Sequence, residues 1–191
     1  MANNNTYGEF ENYRKYFTAT EVYKNTSGAE RFFAYIGPNG KTLANNEVYV
    51  QHDSFVHPQG ILARQALNRD IASGAVKYGN KGVKFHVVSG ITGTTAQTFK
   101  TEGPGKVVAV FYKGLTDAAA AGTVTVASTE GNIVAAGTAV PLAAASTNAV
   151  KEFTLASAGQ TVAANSTITV TPAAFSTNTG EMYIAIAYHS A

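Results

Sequence analysis

Cysteine and tryptophan are absent from this chain of 191 residues, and only 14% of its residues are charged. Without cysteine the protein has no disulfide, no thiolate zinc site and no cysteine nucleophile, which fits synthesis in a reducing cytoplasm. Without tryptophan, a sugar site lacks the largest ring on which a sugar can stack. These absences exclude thiol chemistry and weaken the case for a carbohydrate-processing enzyme.

Long apolar runs are also missing. Apolar runs such as residues 107–112 are far shorter than the run of roughly 20 residues that a membrane span requires. The first ten residues, MANNNTYGEF, lack the basic segment and apolar stretch of a secretory signal. We therefore expect a protein that is neither exported through a cleaved signal nor inserted into a membrane.

The few charges are unevenly distributed along the chain. Residues 1–114 carry 13 Lys and Arg against 8 Asp and Glu, whereas residues 115–191 carry one Lys against four acidic residues. No Arg-rich run is present, and aromatic residues alternate with basic ones only in NYRKYF, residues 12–17. Since a nucleic-acid groove combines a basic stripe with stacking rings, we expect no nucleic-acid partner.

Six aromatic residues lie within the first 23 positions. The free energy that their rings gain on burial is close to the conformational entropy lost when such a segment becomes ordered. The segment therefore needs a surface to lie on, and we predict an extended aromatic arm over residues 1–30. The six are Tyr7, Phe10, Tyr13, Tyr16, Phe17 and Tyr23.

A β-hairpin and a helix are predicted in the next segment, residues 31–78. Two β-rich runs, residues 31–36 and 47–50, flank the turn signal GPNG at residues 37–40, which predicts a hairpin or an open β-loop. In GILARQALNRDIASG, residues 60–74, apolar side chains recur at intervals of three and four, which predicts a helix. Pro58 suits its first turn and Gly74 its C-terminal cap. The residues expected to be buried are Phe33, Tyr35, Ile36, Val48 and Val50 in the hairpin, and Leu62, Ala63, Ala66, Leu67 and Ile71 in the helix.

Short strands separated by turn residues are predicted throughout residues 79–191. Their number and spacing are typical of a β-sandwich, and we predict a jelly-roll-like domain with a hairpin turn at residues 129–132. Because these strands carry so little charge, we expect the domain to associate into a homotrimer. The predicted strands cover residues 83–89, 106–112, 123–128, 132–137, 149–155, 166–171 and 182–189.

The stretch QHDSFVHP, residues 51–58, is the only crowding of metal-ligand residue types in the chain. His52 and His57 are five positions apart, whereas converging ligands lie at i and i+4 on a helix or at i and i+2 on a strand. We therefore interpret the stretch as the connector to the helix, with Asp53 in a turn, and expect no metal. His86 alternates with apolar neighbours and is expected at a surface or interface.

Catalytic motifs are missing elsewhere too. The sequence has no G-x-S-x-G, no complete phosphate-binding loop and no G-x-G-x-x-G before a helix. The expectation is a protein that is not an enzyme, with no catalytic residue and no cofactor.

Four segments follow one another in the first half of the chain: an Asn-Thr-Ser-Gly start, an aromatic run into a Gly/Pro tip followed by Gly-Lys-Thr-Leu, an Asn/Ala-rich step into a second strand, and an Arg-bearing helix that ends in Ala-Ser-Gly. Together they resemble the N-terminal part of the head decoration, or cement, proteins of tailed bacteriophages. The resemblance covers about a quarter of the chain, and it implies binding to the outside of an assembled capsid, usually as trimers, without catalysis. The segments are Asn25 to Gly28, Phe32 to Leu43, Ala44 to Val50 and Leu62 to Gly74.

Our prediction is a structural virion protein, made in the host cytoplasm and located on the outer capsid surface. It would stabilise the capsid by bridging subunits of the major capsid protein. The alternative is a carbohydrate-binding head or tail fibre module for host attachment, with a glycan bound near Tyr112, Tyr183 and Tyr188. The residues predicted to bind the capsid are Tyr13, Arg14, Lys15, Tyr16, Phe17, Phe33 and Tyr35.

Overall fold

The computed structural model describes residues 20–37, 39–52, 61–79, 83–115, 122–140, 150–174 and 180–191. This part of the chain contains one helix and many short strands, so the predicted mainly-β fold with a single helix is confirmed. It contains no helix with the length and apolar character of a membrane span. The elements are β1 (Thr20–Asn25), β2 (Arg31–Phe33), β3 (Lys41–Leu43), β4 (Val48–His52), α1 (Ile61–Ala72), β5 (Val76–Gly79), β6 (Val83–Ile91), β7 (Gln97–Lys100), β8 (Gly105–Gly114), β9 (Thr123–Ser128), β10 (Gly131–Ala139), β11 (Val150–Glu152), β12 (Thr161–Val162), β13 (Thr167–Ala173) and β14 (Gly180–Tyr188).

Contacts divide the described chain into two compact units. The first unit comprises the residues up to Val83 together with Ala187–Ala191, and the second unit comprises Lys84–Ile186. The first unit is therefore discontinuous in sequence, whereas the predicted segments 1–30, 31–78 and 79–191 were all continuous.

The first unit contains an antiparallel sheet in the order β4-β1-β5. In its register, Tyr23 of β1 lies opposite Tyr49 of β4 and Tyr78 of β5, so three tyrosines form a row across one face. Residues 20–25 were predicted to belong to the extended arm, and this part of the prediction is wrong. They form the central strand of the sheet, because each side of β1 pairs with a neighbouring strand. Val22 and Tyr23 of this strand are buried.

A two-stranded hairpin of β2 and β3 packs beside this sheet. Its register pairs Phe32 with Thr42 and Phe33 with Lys41. The prediction had paired residues 31–36 with 47–50, which is wrong, since β4 pairs with β1 instead. The reason is a second reversal after β3, where Asn46 adopts a left-handed conformation with φ 65°. The core of the unit consists of Tyr23, Phe33, Tyr35, Ile36, Leu43 and Val76.

The predicted helix is confirmed as α1, and Gly74 ends it in a left-handed conformation with φ 72°. Its predicted buried face is only partly correct, since Leu62 is 79% exposed and Ile71 is 41% exposed. The residues that turn towards the core follow the i, i+3, i+4, i+7 spacing of one helix face. They are Ala63, Ala66, Leu67 and Asp70, so a carboxylate that was not predicted to be buried lies on the core-facing side of the helix.

The second unit contains two sheets, in the orders β10-β9-β13-β7 and β11-β8-β14-β6, and β12 pairs with β8. All seven predicted strands of this region are present, while the short strands β7 and β12 were not predicted. The predicted turn at residues 129–132 joins β9 and β10, whose register pairs Ser128 with Gly131. The architecture is sandwich-like, and the jelly-roll topology stays a prediction. Its core includes Val107, Phe111, Val126, Ile133, Ile168, Val170, Met182, Ile184 and Ile186.

Candidate functional site

Two of the seven predicted capsid-binding residues lie in the described part of the chain, and both are buried. Phe33 is 1% exposed and Tyr35 is 5% exposed. Their ring centroids are 5.7 Å apart, and the Tyr35 ring lies 6.1 Å from that of Tyr23. No partner can reach these rings, so the prediction that Phe33 and Tyr35 contact a capsid is wrong. The other five, Tyr13, Arg14, Lys15, Tyr16 and Phe17, lie outside the described residues.

The exposed aromatic residue of the hairpin is Phe32, which is 57% exposed. It lies opposite Thr42, and its ring lies over Gly40 so closely that a methyl group added there would overlap it. Gly40 also has a φ of 75°, a conformation that glycine adopts without strain. The sequence analysis missed Phe32, although side chains alternate along a strand and burial of Phe33 places its neighbour outside.

The side chain of Asn25 holds the two ends of the β2–β3 hairpin together. Its Nδ2 donates to the carbonyl oxygens of Ala29 at 2.7 Å, Leu43 at 2.9 Å and Ala44 at 3.1 Å. Its Oδ1 accepts hydrogen bonds from the backbone N–H and the hydroxyl of Ser27, at 3.0 and 2.7 Å. Asn25 is fully buried, and one amide therefore holds both the turn before β2 and the end of β3.

The backbone around Asn25 connects the same hairpin to the end of the helix. The N–H of Asn46 donates to the Asn25 carbonyl at 2.9 Å. Next to it, the Thr26 N–H donates to the Ala75 carbonyl at 3.0 Å, and the Thr26 hydroxyl donates to the Gly74 carbonyl at 2.7 Å. The last turn of α1 is thus tied to the residues that position β2 and β3. We call these contacts, with those of the Asn25 side chain, the Asn25 network.

Asp70 provides a second connection between α1 and the hairpin. Asp70 is 3% exposed. Its carboxylate accepts hydrogen bonds from the Arg31 guanidinium at 2.9 Å and from the Tyr35 hydroxyl at 3.1 Å. Burial first, and then the charge of Asp70, raise the pKa of Tyr35 above its ordinary value. Arg31 also lies 5.3 Å from the centre of the Phe33 ring. A buried carboxylate is costly unless it is paired, and these contacts provide its partners.

The Glu21 carboxylate binds two of the three tyrosines in the row across the sheet. Its two oxygens accept hydrogen bonds from the hydroxyls of Tyr23 at 2.6 Å and Tyr78 at 2.7 Å. Burial and the bond to Glu21 raise the pKa of Tyr23 above its ordinary value. The Tyr23 phenol therefore stays a protonated donor at neutral pH, and one carboxylate binds two tyrosines of the row.

The stretch QHDSFVHP is only partly described. Gln51 is buried, and its Oε1 accepts a hydrogen bond from the Gly37 N–H at 2.9 Å, which joins β4 to the hairpin turn. His52 ends β4, while Asp53 and His57 lie outside the described residues. Among the residues that the structure describes, no cluster of His, Asp and Glu could hold a metal ion. The visible role of this stretch is structural.

The three tyrosines predicted to line the alternative sugar site do not all expose a ring face to solvent. Tyr112 is 1% exposed and its ring fills the space beside Gly180. The Tyr183 hydroxyl donates to Glu181 at 2.6 Å, and burial followed by this carboxylate raises the pKa of Tyr183 to about 12. Tyr188 belongs to the first unit, whereas the other two belong to the second. Tyr112 therefore has no face on which a sugar can stack.

His86 is partly exposed in the second unit and stacks on Phe99, with ring centroids 4.6 Å apart and planes inclined by 13°. Burial first, and then the nearby Lys84, lower its pKa. Lys84 itself forms an ion pair with Glu102. These contacts brace β6 against β7, so a structural role accounts for the position of this histidine.

Comparisons with protein-family models, with curated proteins and with solved structures find no match for this chain.

Proposed function

We propose that this protein is a structural virion protein that binds the outer surface of an assembled tailed-phage capsid and stabilises it by bridging neighbouring subunits of the major capsid protein. One observation carries the proposal: the four segments that resemble head decoration proteins are bonded to one another through the Asn25 network. Asn25 lies in the first segment, its side chain bonds the second and third, and Thr26 bonds the end of the fourth. The four segments that carry the resemblance therefore belong to one hydrogen-bonded substructure of the first unit.

The β2–β3 hairpin is the proposed capsid-binding element of the first unit. Its outer face presents Phe32, while Asn25 and Asp70 hold its inner face. Aromatic side chains held on a rigid support are frequent binding hot spots, because little entropy is lost when a partner covers them. Phe32 thus replaces Phe33 and Tyr35 as the proposed anchor.

The second unit is proposed to form the outward part of the particle and to hold a homotrimer together. Lys84–Ile186 carries five basic and five acidic residues, so its formal net charge is zero. Domains without net charge are prone to associate. Val87 on β6, the last strand of its sheet in the described part of the chain, is 51% exposed and adds an apolar contact.

The Phe32→Ala variant tests the binding role directly. Cosedimentation with undecorated heads of the phage that encodes the protein should show a dissociation constant at least about tenfold higher than that of the wild type, with an unchanged thermal midpoint. Leu62→Ala is the matched control, since Leu62 is an apolar residue on α1 that is even more exposed than Phe32. It should change neither quantity. Equal binding by wild type and Phe32→Ala, or no binding by the wild type, would overturn the proposal.

The aromatic arm requires a deletion that spares β1. Removing residues 1–24 would remove most of the central strand and unfold the first unit, whereas removing residues 1–19 leaves all of Thr20–Asn25. The shorter deletion should weaken binding to undecorated heads and leave the thermal midpoint almost unchanged. A drop in the midpoint would instead assign the removed residues to the stability of the free protein.

The trimer is tested by sedimentation equilibrium of the full chain. The expected mass is three times the chain mass of 19.9 kDa. A monomer across the micromolar range would remove the trimer from the proposal.

A further inference from the structure

Two lysines lie directly opposite each other in the first unit. Lys24 of β1 and Lys77 of β5 are partners in the antiparallel register, and both are half-buried. Side chains of such partners project from the same face of the sheet with Cβ atoms about 5 Å apart, and like charges in this position are destabilising. Within the described residues neither lysine forms an ion pair. Among the residues that the structure describes, the pair is therefore an unneutralised positive centre.

His189 lies on the same face of the sheet. The Ser190 N–H donates to the Tyr78 carbonyl at 3.1 Å, which places this segment beside β5. The His189 Cα lies 2.8 Å from the point that a Cβ of Gly79 would occupy. Because Lys77 and Gly79 are two positions apart on one strand, they share a face, and His189 lies over it. The charged groups that act on His189 are Lys24 and Lys77.

The ring of His189 is buried, with 9% of the residue exposed, and it has one unpartnered nitrogen. Nδ1 lies 2.7 Å from the Ser190 carbonyl oxygen, and since a carbonyl only accepts, Nδ1 carries the proton of this bond. Nε2 has no hydrogen-bond partner among the described residues. Burial lowers the pKa of His189, the bond to Ser190 opposes this, and the two lysines lower it further.

We propose that Lys24, Lys77 and His189 form a binding site for an oxyanion. A sulfate, phosphate or carboxylate group placed here would neutralise the two lysines and accept a hydrogen bond from Nε2. Since neutral His189 carries its proton on Nδ1, binding takes up one proton from solvent at Nε2. The anion and the proton then stabilise each other, and affinity rises as pH falls. This site goes beyond the capsid proposal and does not depend on it.

Sulfate is the probe, because it stays doubly ionised across the neutral range. Thermal midpoints are measured with and without sulfate at constant ionic strength. At tenfold above its dissociation constant, sulfate should raise the midpoint of the wild type by about 4 °C. Lys24→Gln and Lys77→Gln should lose most of this rise. Lys100→Gln, which removes an exposed lysine on β7 of the second unit, is the matched control and should keep it.

The variants also separate binding from a structural role. Without sulfate at low salt, Lys24→Gln and Lys77→Gln should be at least as stable as the wild type, because one of two repelling charges is gone. An equal sulfate effect in all four proteins, or lower stability of both variants without sulfate, would overturn the site.

The proton is observed directly on wild-type protein, so this measurement does not depend on how the variants fold. Nitrogen NMR at pH 7 should show Nε2 of His189 changing from unprotonated to protonated as sulfate is added. An unchanged Nε2 at saturating sulfate would overturn the proposal.

The source of the anion is distinguished by two further probes. Inorganic phosphate and an acetylated peptide of four glutamates are compared on the wild type and on Lys77→Gln. Tighter binding of phosphate assigns the site to a free anion, and tighter binding of the peptide assigns it to carboxylates of a partner protein. Binding of neither, or binding unaffected by Lys77→Gln, contradicts the proposal.

Discussion

The two units achieve specific structures by different means. In the first, buried amide and carboxylate side chains make the long-range connections: Asn25 holds the hairpin, Gln51 holds its turn, and Asp70 joins α1 to Arg31. In the second, long strands bury aliphatic side chains, and its buried polar residues are Thr101 and Ser166. Buried polar partners therefore fix the register of the first unit, and apolar packing does so in the second.

This difference predicts different responses to substitution. A buried polar group that loses its partner costs its full desolvation free energy, whereas an apolar core loses stability in proportion to the volume removed. The stability of the first unit should thus depend on single polar atoms, and the stability of the second on side-chain volume. Hydrogen exchange measured peptide by peptide reports the stability of each unit separately.

The largest effect is expected for Asn25→Asp, which replaces the Nδ2 donor by an oxygen without changing size. That oxygen would face the carbonyls of Leu43 and Ala44, now at 2.9 and 3.1 Å from Nδ2. We expect the first unit to lose about 4 kcal/mol, seen as faster exchange in its peptides. Asn25→Ala should cost less, because it introduces no charge. If Asn25→Asp cost no more than Asn25→Ala, the hydrogen bonds would not be what fixes this unit.

Ile184→Ala should cost the second unit about 3 kcal/mol, because Ile184 is fully buried in β14 and the substitution leaves a cavity. Ile184→Val removes one methylene group and should cost about 1 kcal/mol. Urea denaturation followed by circular dichroism gives both values. A larger loss for Val than for Ala would contradict control by volume.

Glu130→Gln should have a smaller effect, about 1 kcal/mol or less. The Glu130 carboxylate accepts from the Ser166 hydroxyl at 2.6 Å and from the Ala163 N–H at 3.1 Å, at the turn between β9 and β10. Burial opposes ionisation, but these bonds outweigh it and lower the pKa of Glu130. The contribution is therefore present above the unfolded pKa and is lost as pH falls through the folded one. Acid titration of the wild type and Glu130→Gln should converge at low pH; parallel curves would contradict the assignment.

The smallest effect concerns the two histidines whose pKa is lowered, His86 in the second unit and His189 in the first. Each binds its proton more readily in the unfolded chain, so stability falls as pH drops below about 6.5. Between pH 7.5 and 5.5, in sulfate-free buffer, each should contribute a loss of less than about 1 kcal/mol. His86→Gln and His189→Gln should each flatten the pH dependence in their own unit. An effect of either variant confined to the other unit would contradict this.

The sequence predicted the elements well where the pattern is local. In the second unit, β9 and β13 alternate apolar and polar residues and β8 is a continuous apolar run, and α1 ends at the glycine expected to cap it. Which strands pair is not a local property. The hairpin partner of β2 was predicted wrongly because two reversals, at Gly37–Gly40 and at Asn46, lie between the candidate strands.

The sequence did not predict which aromatic residue of the β2–β3 hairpin is exposed. Phe32 and Phe33 are adjacent, and the pattern alone does not say which one is buried. Burial is decided by the Tyr23 and Tyr35 rings, which come from distant or irregular parts of the chain. Similarly, the burial of Asp70 could not be predicted without its partner Arg31, which lies 39 residues earlier.

The discontinuity of the first unit has a consequence for synthesis on the ribosome. Residues up to Val83 are made first, but Ala187–Ala191 of the same unit follow the whole of Lys84–Ile186. Domains generally fold as units while the chain emerges. The sandwich-like unit can therefore fold during translation, whereas the hairpin-bearing unit is completed only when its last five residues are released. Nascent chains would then complete the sandwich-like unit before the unit that bears the proposed capsid-binding hairpin.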